Sequence, residues 1–273
     1  MIASHETFQL PDWTADESYD YTNRLSLREF AWEFLRRNAD FRGAWTAAQL
    51  EYGVAGYDGP TTFIVSQHNK PSLAQWGCLY ASSPSRDALT AMVLWCPDAC
   101  ATVLRLTAFA LDAKIDATPF LLRTIDCPSL LLELPQGPQH LLFVEGGRGL
   151  QLSIEGADIV QPVRLMTNCA PDDVLAGPQM RSLQCFNDLR LTGHFFRSNV
   201  QRDPLSPRFR RVLRILDGNL SGATNQEIAK VVLRDEYSDA EWNAPSYSMR
   251  DRIRKALARG HFLMREGYRK LQS

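Results

Sequence analysis

The stretch SYSMRDRIRKALAR, Ser246 to Arg259, sets three hydroxyls, one carboxylate and five cations within fourteen residues. At about 100° per residue on a helix, Met249, Ile253, Ala256 and Leu257 gather on one side. Tyr247, Asp251, Arg254 and Ala258 project oppositely, Ser248, Arg252, Lys255 and Arg259 line one flank, Arg250 lies on the other, and Ser246 with Pro245 starts the helix. A helix that buries a narrow stripe and displays guanidiniums and hydroxyls elsewhere suits a major groove. Arg takes guanine O6 and N7 in a fork, Asp accepts from cytosine N4, and flanking cations hold phosphates. A merely solvated face has the same composition, so the neighbouring elements decide the weight of this reading.

Those elements are helices. In SGATNQEIAKVVL, Thr224 and Glu227 have capping-box spacing, and Ile228, Val231 and Val232 form one apolar face while Asn225, Gln226 and Lys230 stay polar. Thr224, Asn225 and Lys230 are the candidate phosphate contacts of this helix. Upstream, PRFRRVLRILDG predicts a brace helix capped by Ser206, with Pro207 at its first position, burying Phe209, Val212, Leu213, Ile215 and Leu216 and ending at Gly218. The connection RDEYSDAEWNAP is about three times the usual three- to four-residue turn, which predicts a helix-turn-helix variant whose Tyr237 and Trp242 pack the turn onto the bundle.

The formal net charge of −1 conceals an asymmetry. From Arg181 to Ser273 there are 18 Lys plus Arg against 10 Asp plus Glu, net +8; residues 1–180 have 12 against 21, net −9. A basic third joined to an acidic remainder points to a polyanion-binding module attached to something that does not bind polyanions. No apolar run approaches the ~18 residues that span a bilayer, and the N-terminus lacks signal-peptide character, so a cytoplasmic protein without membrane contact is expected. The six cysteines form no CxxC pair and suit a reducing compartment. GxSxG, HExxH, Rossmann and EF-hand patterns are absent, and the five histidines are scattered. Cys96 and Cys100 of CPDAC lack a second pair to complete a zinc site. The expectation is a protein that is not an enzyme, with no metal and no cofactor.

The predicted fold class is α+β: an N-terminal helical hairpin, a β-rich middle segment and a C-terminal helical bundle with the helix-turn-helix variant. The expected divisions are a small helical domain over 1–55, a linker over 56–88, a β-rich segment over 89–177 and the DNA-binding domain over 178–273. In the first, Ser26 and Glu29 form a capping box, Leu27, Phe30, Ala31, Phe34 and Leu35 follow at helical spacing, Arg36 and Arg37 sit in the last turn as complements to exposed carbonyls, and Asp40 starts a second helix. GYDGP and SSPS supply turn or linker chemistry. QHLLFVEGGRGLQLSIEG reads as a β-hairpin, its glycines turn residues and not a phosphate loop.

The segment LRILDGNLSGATNQEIAKVVL, followed by a tryptophan and SYSMRDRIRKALARGHFLMREGYRKL, resembles the C-terminal domain of the QseM and FseA regulators of proteobacterial integrative and conjugative elements. Thr224 stands where serine is usual. FAWEFLRRNADFR resembles the small domain that precedes it in activator-type members, with Phe41 replacing a tyrosine. The resemblance implies a DNA-binding transcriptional activator of the genes for element excision and transfer. Its implied partners are double-stranded promoter DNA, RNA polymerase and a QseM-like antiactivator. The alternative is a protein-binding antiactivator that sequesters a related regulator.

Overall fold

The computed structural model describes residues 7–111, 119–167, 176–195, 204–243 and 249–272. The fold is mixed α+β, divided into two compact units: Met1–Arg42 with Gln201–Leu271, and Gly43–Val200 with Gln272–Ser273.

In the first unit a 3-10 stretch, Asp16–Arg24, leads into α1 (Leu27–Leu35). Ser26 and Glu29 cap α1 reciprocally, the Ser26 N–H donating to Glu29 Oε2 at 3.0 Å. Helix α2 (Ala39–Ala48) begins about one turn beyond the end of α1. Its cap is Asn38 rather than Asp40: the Asn38 side-chain oxygen accepts from the N–H groups of Asp40 at 2.9 Å and Phe41 at 3.4 Å. An Asx cap two residues upstream satisfies two first-turn donors, which an aspartate already inside the helix does not.

Helix α4 (Ser206–Leu220) runs two residues past the expected end, and the Ser206 hydroxyl donates to Leu25 O at 3.4 Å instead of capping. Its end is set at Gly222, φ +87°: the Gly222 N–H donates to Asn219 O and the Ala223 N–H to Gly218 O, both at 3.0 Å. That is a Schellman closure, and its left-handed residue favours glycine. Gly218 instead lies inside α4, where α5 (Asn225–Val232) crosses closely; a Cβ there would stand 3.0 Å from Ile228 Cγ1 and 3.1 Å from the Trp13 ring. A short α6 (Asp239–Asn243) and the long α7 (Met249–Arg265) complete the set. Ile215 of α4, Ile228, Ala229 and Leu233 of the α5 region, and Met249, Ile253 and Leu257 of α7 share one core.

A buried ionic cluster ties residues 19–37 to α4. The Arg37 guanidinium is fully buried and forks onto Asp217, Nε to Oδ1 at 2.6 Å and Nη2 to Oδ2 at 2.8 Å, while Nη1 reaches Glu33 Oε2 at 2.6 Å. The Tyr19 hydroxyl donates to Asp217 at 2.6 Å and the Tyr21 hydroxyl to Glu33 at 2.7 Å. Arg36 also pairs with Glu33, at 2.9 Å. Arg37 Nη1 also donates to the Glu33 carbonyl at 2.6 Å, as expected of a cation at the helix end, but the guanidiniums of Arg36 and Arg37 otherwise go to carboxylates 3, 4 and 180 residues away in sequence. Burial alone raises the Glu33 carboxyl, but Arg36 and Arg37 outweigh it and hold it down at about 2. Burial and the Asp217 charge raise the Tyr19 phenol far above its ordinary value, so it remains a donor.

The second unit is built on a seven-stranded mixed sheet, in order β1 (Tyr52–Asp58), β2 (Thr61–Ser66), β6 (Ser129–Glu133), β7 (Gln139–Glu145), β8 (Arg148–Gly156), β5 (Leu104–Ala110) and β9 (Val163–Thr167). Strands β2/β6 and β5/β8 pair in parallel and the other neighbours antiparallel. β3 (Cys78–Ala81) and β4 (Val93–Trp95) form a separate antiparallel pair. The expected hairpin is present, Glu145 pairing with Arg148 across Gly146 and Gly147. The expected linker over 56–88 is corrected: it holds the end of β1, all of β2 and β3. Gly59 and Pro60 mark a tight turn, and the β-branched Thr61, Thr62, Ile64 and Val65 take a strand paired on both sides. Helix α3 (Ala176–Thr192) lays Phe186 and Leu189 on this sheet's apolar core. Gln151 is buried on β8, where its amide donates to Trp95 O at 2.7 Å and accepts from Trp95 N at 3.0 Å. Burial pushes the neighbouring-strand His140 down to about 4.

Candidate nucleic-acid interface

Helix α5 starts as its sequence dictates. The Glu227 carboxylate accepts from the Thr224 N–H at 2.8 Å and from its hydroxyl at 2.7 Å, and the hydroxyl in turn accepts from the Glu227 N–H at 3.3 Å. These bonds hold the Glu227 carboxyl below its ordinary range. Thr224 is thus engaged within the cap and sets where α5 begins, while Asn225 and Lys230 are exposed beside it. The Lys230 ammonium lies 5.7 Å from the centre of the Tyr237 ring.

The long connection between α5 and α7 folds back on the bundle. Gln226 donates to the Tyr237 hydroxyl at 3.0 Å, and that hydroxyl donates to Asp239 at 2.9 Å. The Tyr237 and Trp242 rings sit 6.3 Å apart, packed against the α4–α5–α7 core as expected from the sequence. Ser246, Tyr247 and Ser248 lie outside the described residues.

Helix α7 buries Met249, Ile253 and Leu257, as expected, and adds Gly260, Leu263 and Met264. Arg250, Arg254 and Lys255 are exposed. Arg254 pairs with Asp251 at 2.9 Å, yet its side chain is 73% exposed. Such an exposed i,i+3 pair contributes about 0–1 kcal/mol, so it opens at little cost. Of the predicted set, the structure turns two members elsewhere. Arg252 pairs with Glu236 at 2.5 Å, and Arg259 is half-buried with its guanidinium 5.5 Å from the centre of the Phe209 ring. The hydrogen bond from Arg252 holds the Glu236 carboxyl down.

Helix α4 carries cations that the sequence reading left unused, and they sort into two groups. Arg210 pairs with Asp16 at 2.7 Å and Asp20 at 3.0 Å; Arg214 pairs with Asp16 at 2.6 Å and donates to Trp13 O and Thr14 O. Arg208 and Arg211 are exposed and, with Arg252 and Arg259, line a groove. The i,i+3 spacing of Arg208 and Arg211 was a legible signal for one cationic edge on this helix.

Among the described residues no helix is long and apolar enough to cross a membrane. Residues 180–272 match the family model described as T6SS transcription factor, DNA-binding domain. Residues 12–77 match the model described as proteobacterial transcriptional regulator-like domain. No curated protein matches the chain. One match spans the helices that carry the exposed cations and the other the segment that delivers Arg37 to Asp217, and together they support a DNA-binding transcription regulator.

Proposed function

We propose that the chain is a transcriptional activator that sits on promoter duplex DNA as a helix-turn-helix variant, with α7 in the major groove. The observation that carries this reading is the exposed Arg254 on a helix whose opposite face is locked into the α4–α5 core. Tyr247, Ser248, Asp251 and Arg254 test base edges; Asn225, Lys230, Arg250 and Lys255 hold phosphates; Thr224 fixes the start of α5. The activator role, and control of excision and transfer genes of an integrative and conjugative element, rest on the resemblance to the FseA-type arrangement, in which the N-terminal segment accompanies the DNA-binding part. RNA polymerase and a QseM-like antiactivator are the partners that arrangement implies.

The test is a gel shift and footprint with the full chain on DNA upstream of the neighbouring genes, repeated across salt. Binding weakens linearly in log–log form, by about 0.9 per phosphate neutralised. Arg254→Ala lowers discrimination between the footprinted site and its base-substituted versions by about 1–3 kcal/mol, and Lys230→Ala weakens specific and random DNA alike and reduces the salt slope by about 1. Promoter binding unchanged in both variants removes the reading.

A further inference from the structure

The groove beside α7 has a chemistry distinct from its outward face. Arg208 and Arg211 of α4 and Arg252, Lys255 and Arg259 of α7 surround a space of about 300 Å³. Between these cations the lining is apolar, from Val212, Leu233, Ile253 and Ala256. Glu236 is the carboxylate at its edge, paired with Arg252. Within the groove Arg259 is electrostatically strained: its Nε is buried with no hydrogen-bond partner among the described residues. Burial and the like charge of Arg208 both hold its pKa below the ordinary guanidinium value. A carboxylate brought to this guanidinium offsets both effects by its opposite charge.

A DNA backbone does not suit this lining. Phosphates need donors and keep their water, so they make no use of aliphatic side chains. Arg252, Ala256 and Arg259 also lie roughly 140–160° around the helix from Arg254, so a duplex held by Arg254 meets this groove only at its Lys255 edge. A shallow apolar cleft with cations on both walls matches a helix whose narrow apolar edge is flanked by carboxylates.

We propose that the α4–α7 groove docks an acidic amphipathic helix of a partner protein, with leucine-type side chains between the two helices and glutamates or aspartates on Arg208, Arg211 and Arg259. The groove then gives this protein a contact that remains available while α7 occupies DNA.

The experiment uses the full chain and a fluorescein-labelled synthetic peptide with leucines at i, i+3, i+4 and i+7 and glutamates on its other faces. Its controls are a scrambled peptide of identical composition and a duplex of random sequence. Fluorescence anisotropy is read near physiological ionic strength, where screening acts beyond about 8 Å. The amphipathic peptide is expected to bind about tenfold more tightly than the scramble, and Arg208→Gln with Arg211→Gln to weaken it about tenfold. Ala256→Glu, which sets a carboxylate on the apolar lining, is expected to weaken it equally while the far-UV circular dichroism melt stays cooperative. Duplex affinity in the double-Gln variant is expected to stay within about threefold, less than the ~1.4 kcal/mol of a tenfold change. Equal binding of the scramble, or peptide binding unchanged in these variants, overturns the proposal. So does loss of duplex binding in the double-Gln variant without peptide binding by the parent, which makes the groove a phosphate contact. Failure of the DNA reading shows separately, as promoter binding unchanged in both Arg254→Ala and Lys230→Ala.

Discussion

Arg37 was legible as a cation at the end of a helix but not as a buried one. Its partner Asp217 lies 180 residues away, and both side chains are withdrawn from water. Removing one member of such a pair leaves a charge buried without compensation, at about 3–5 kcal/mol. Arg37→Ala is therefore expected to lower the unfolding free energy by that order, measured by urea titration of the full chain. Glu33 gives the same cluster a pH signature. Its folded pKa, about 2, lies below the ordinary value of 4.5, so its contribution is fully present above pH 4.5 and is lost as pH falls through 2. The cluster's stability should decline across that interval by at most about 1.4 kcal/mol per pH unit. Glu33→Gln should flatten that slope in acid-unfolding curves; an unchanged slope would assign the acid sensitivity to other carboxylates.

Helix boundaries followed local chemistry where the signal was a complete motif. The Ser26–Glu29 and Thr224–Glu227 boxes stand where the spacing put them, because each satisfies backbone donors within four residues. The end of α4 is not legible in the sequence because Gly218 and Gly222 are alike as letters. The chain leaves the helix only where Gly222 closes the Schellman bonds, while Gly218 is small because α5 and Trp13 approach it. Gly218→Val should consequently overpack the α4–α5 crossing and destabilise the helices by about 1–3 kcal/mol. Urea titration followed by far-UV circular dichroism checks this, and a Gly218→Val protein of parental stability would show that α5 shifts freely on α4. The strands of residues 52–81 are hidden in the sequence for a related reason. Their glycine, proline and serine content marks turns, and turn residues flank short strands as readily as they fill linkers.

Residues 1–42 and 201–271, far apart in sequence, belong to one compact unit. Chain separation suggested two modules, but α4 presents Asp217 to Arg37 and Tyr19, and Arg210 and Arg214 to Asp16. A chain beginning at residue 178 keeps Asp217 while losing its fork and its tyrosine. It is expected to unfold without a cooperative transition, and supplying residues 1–42 on the same polypeptide is expected to restore it. Cooperative unfolding of the shorter chain at parental stability would show that Asp217 is satisfied by water or repacking. The same pairings bear on the net charge of +8 carried by residues 181–273. Arg210 and Arg214 face the acidic N-terminal segment, so the cations that remain outward, Arg254 and Lys230 among them, are fewer than the count implies.

What the amino-acid sequence determined by itself was whatever acts over a few residues: capping boxes, the β7–β8 turn, the apolar stripe of α7 and the cations on its other sides. These depend on spacing along one element, which the letters state directly. Only the tertiary structure decided which charges face each other. It buried Arg37 on Asp217, paired Arg252 with Glu236, set Arg259 beside Arg208, and left Arg254 outward. Electrostatic pairing depends on distance through space and on exclusion of water, and neither is encoded by any single stretch of chain.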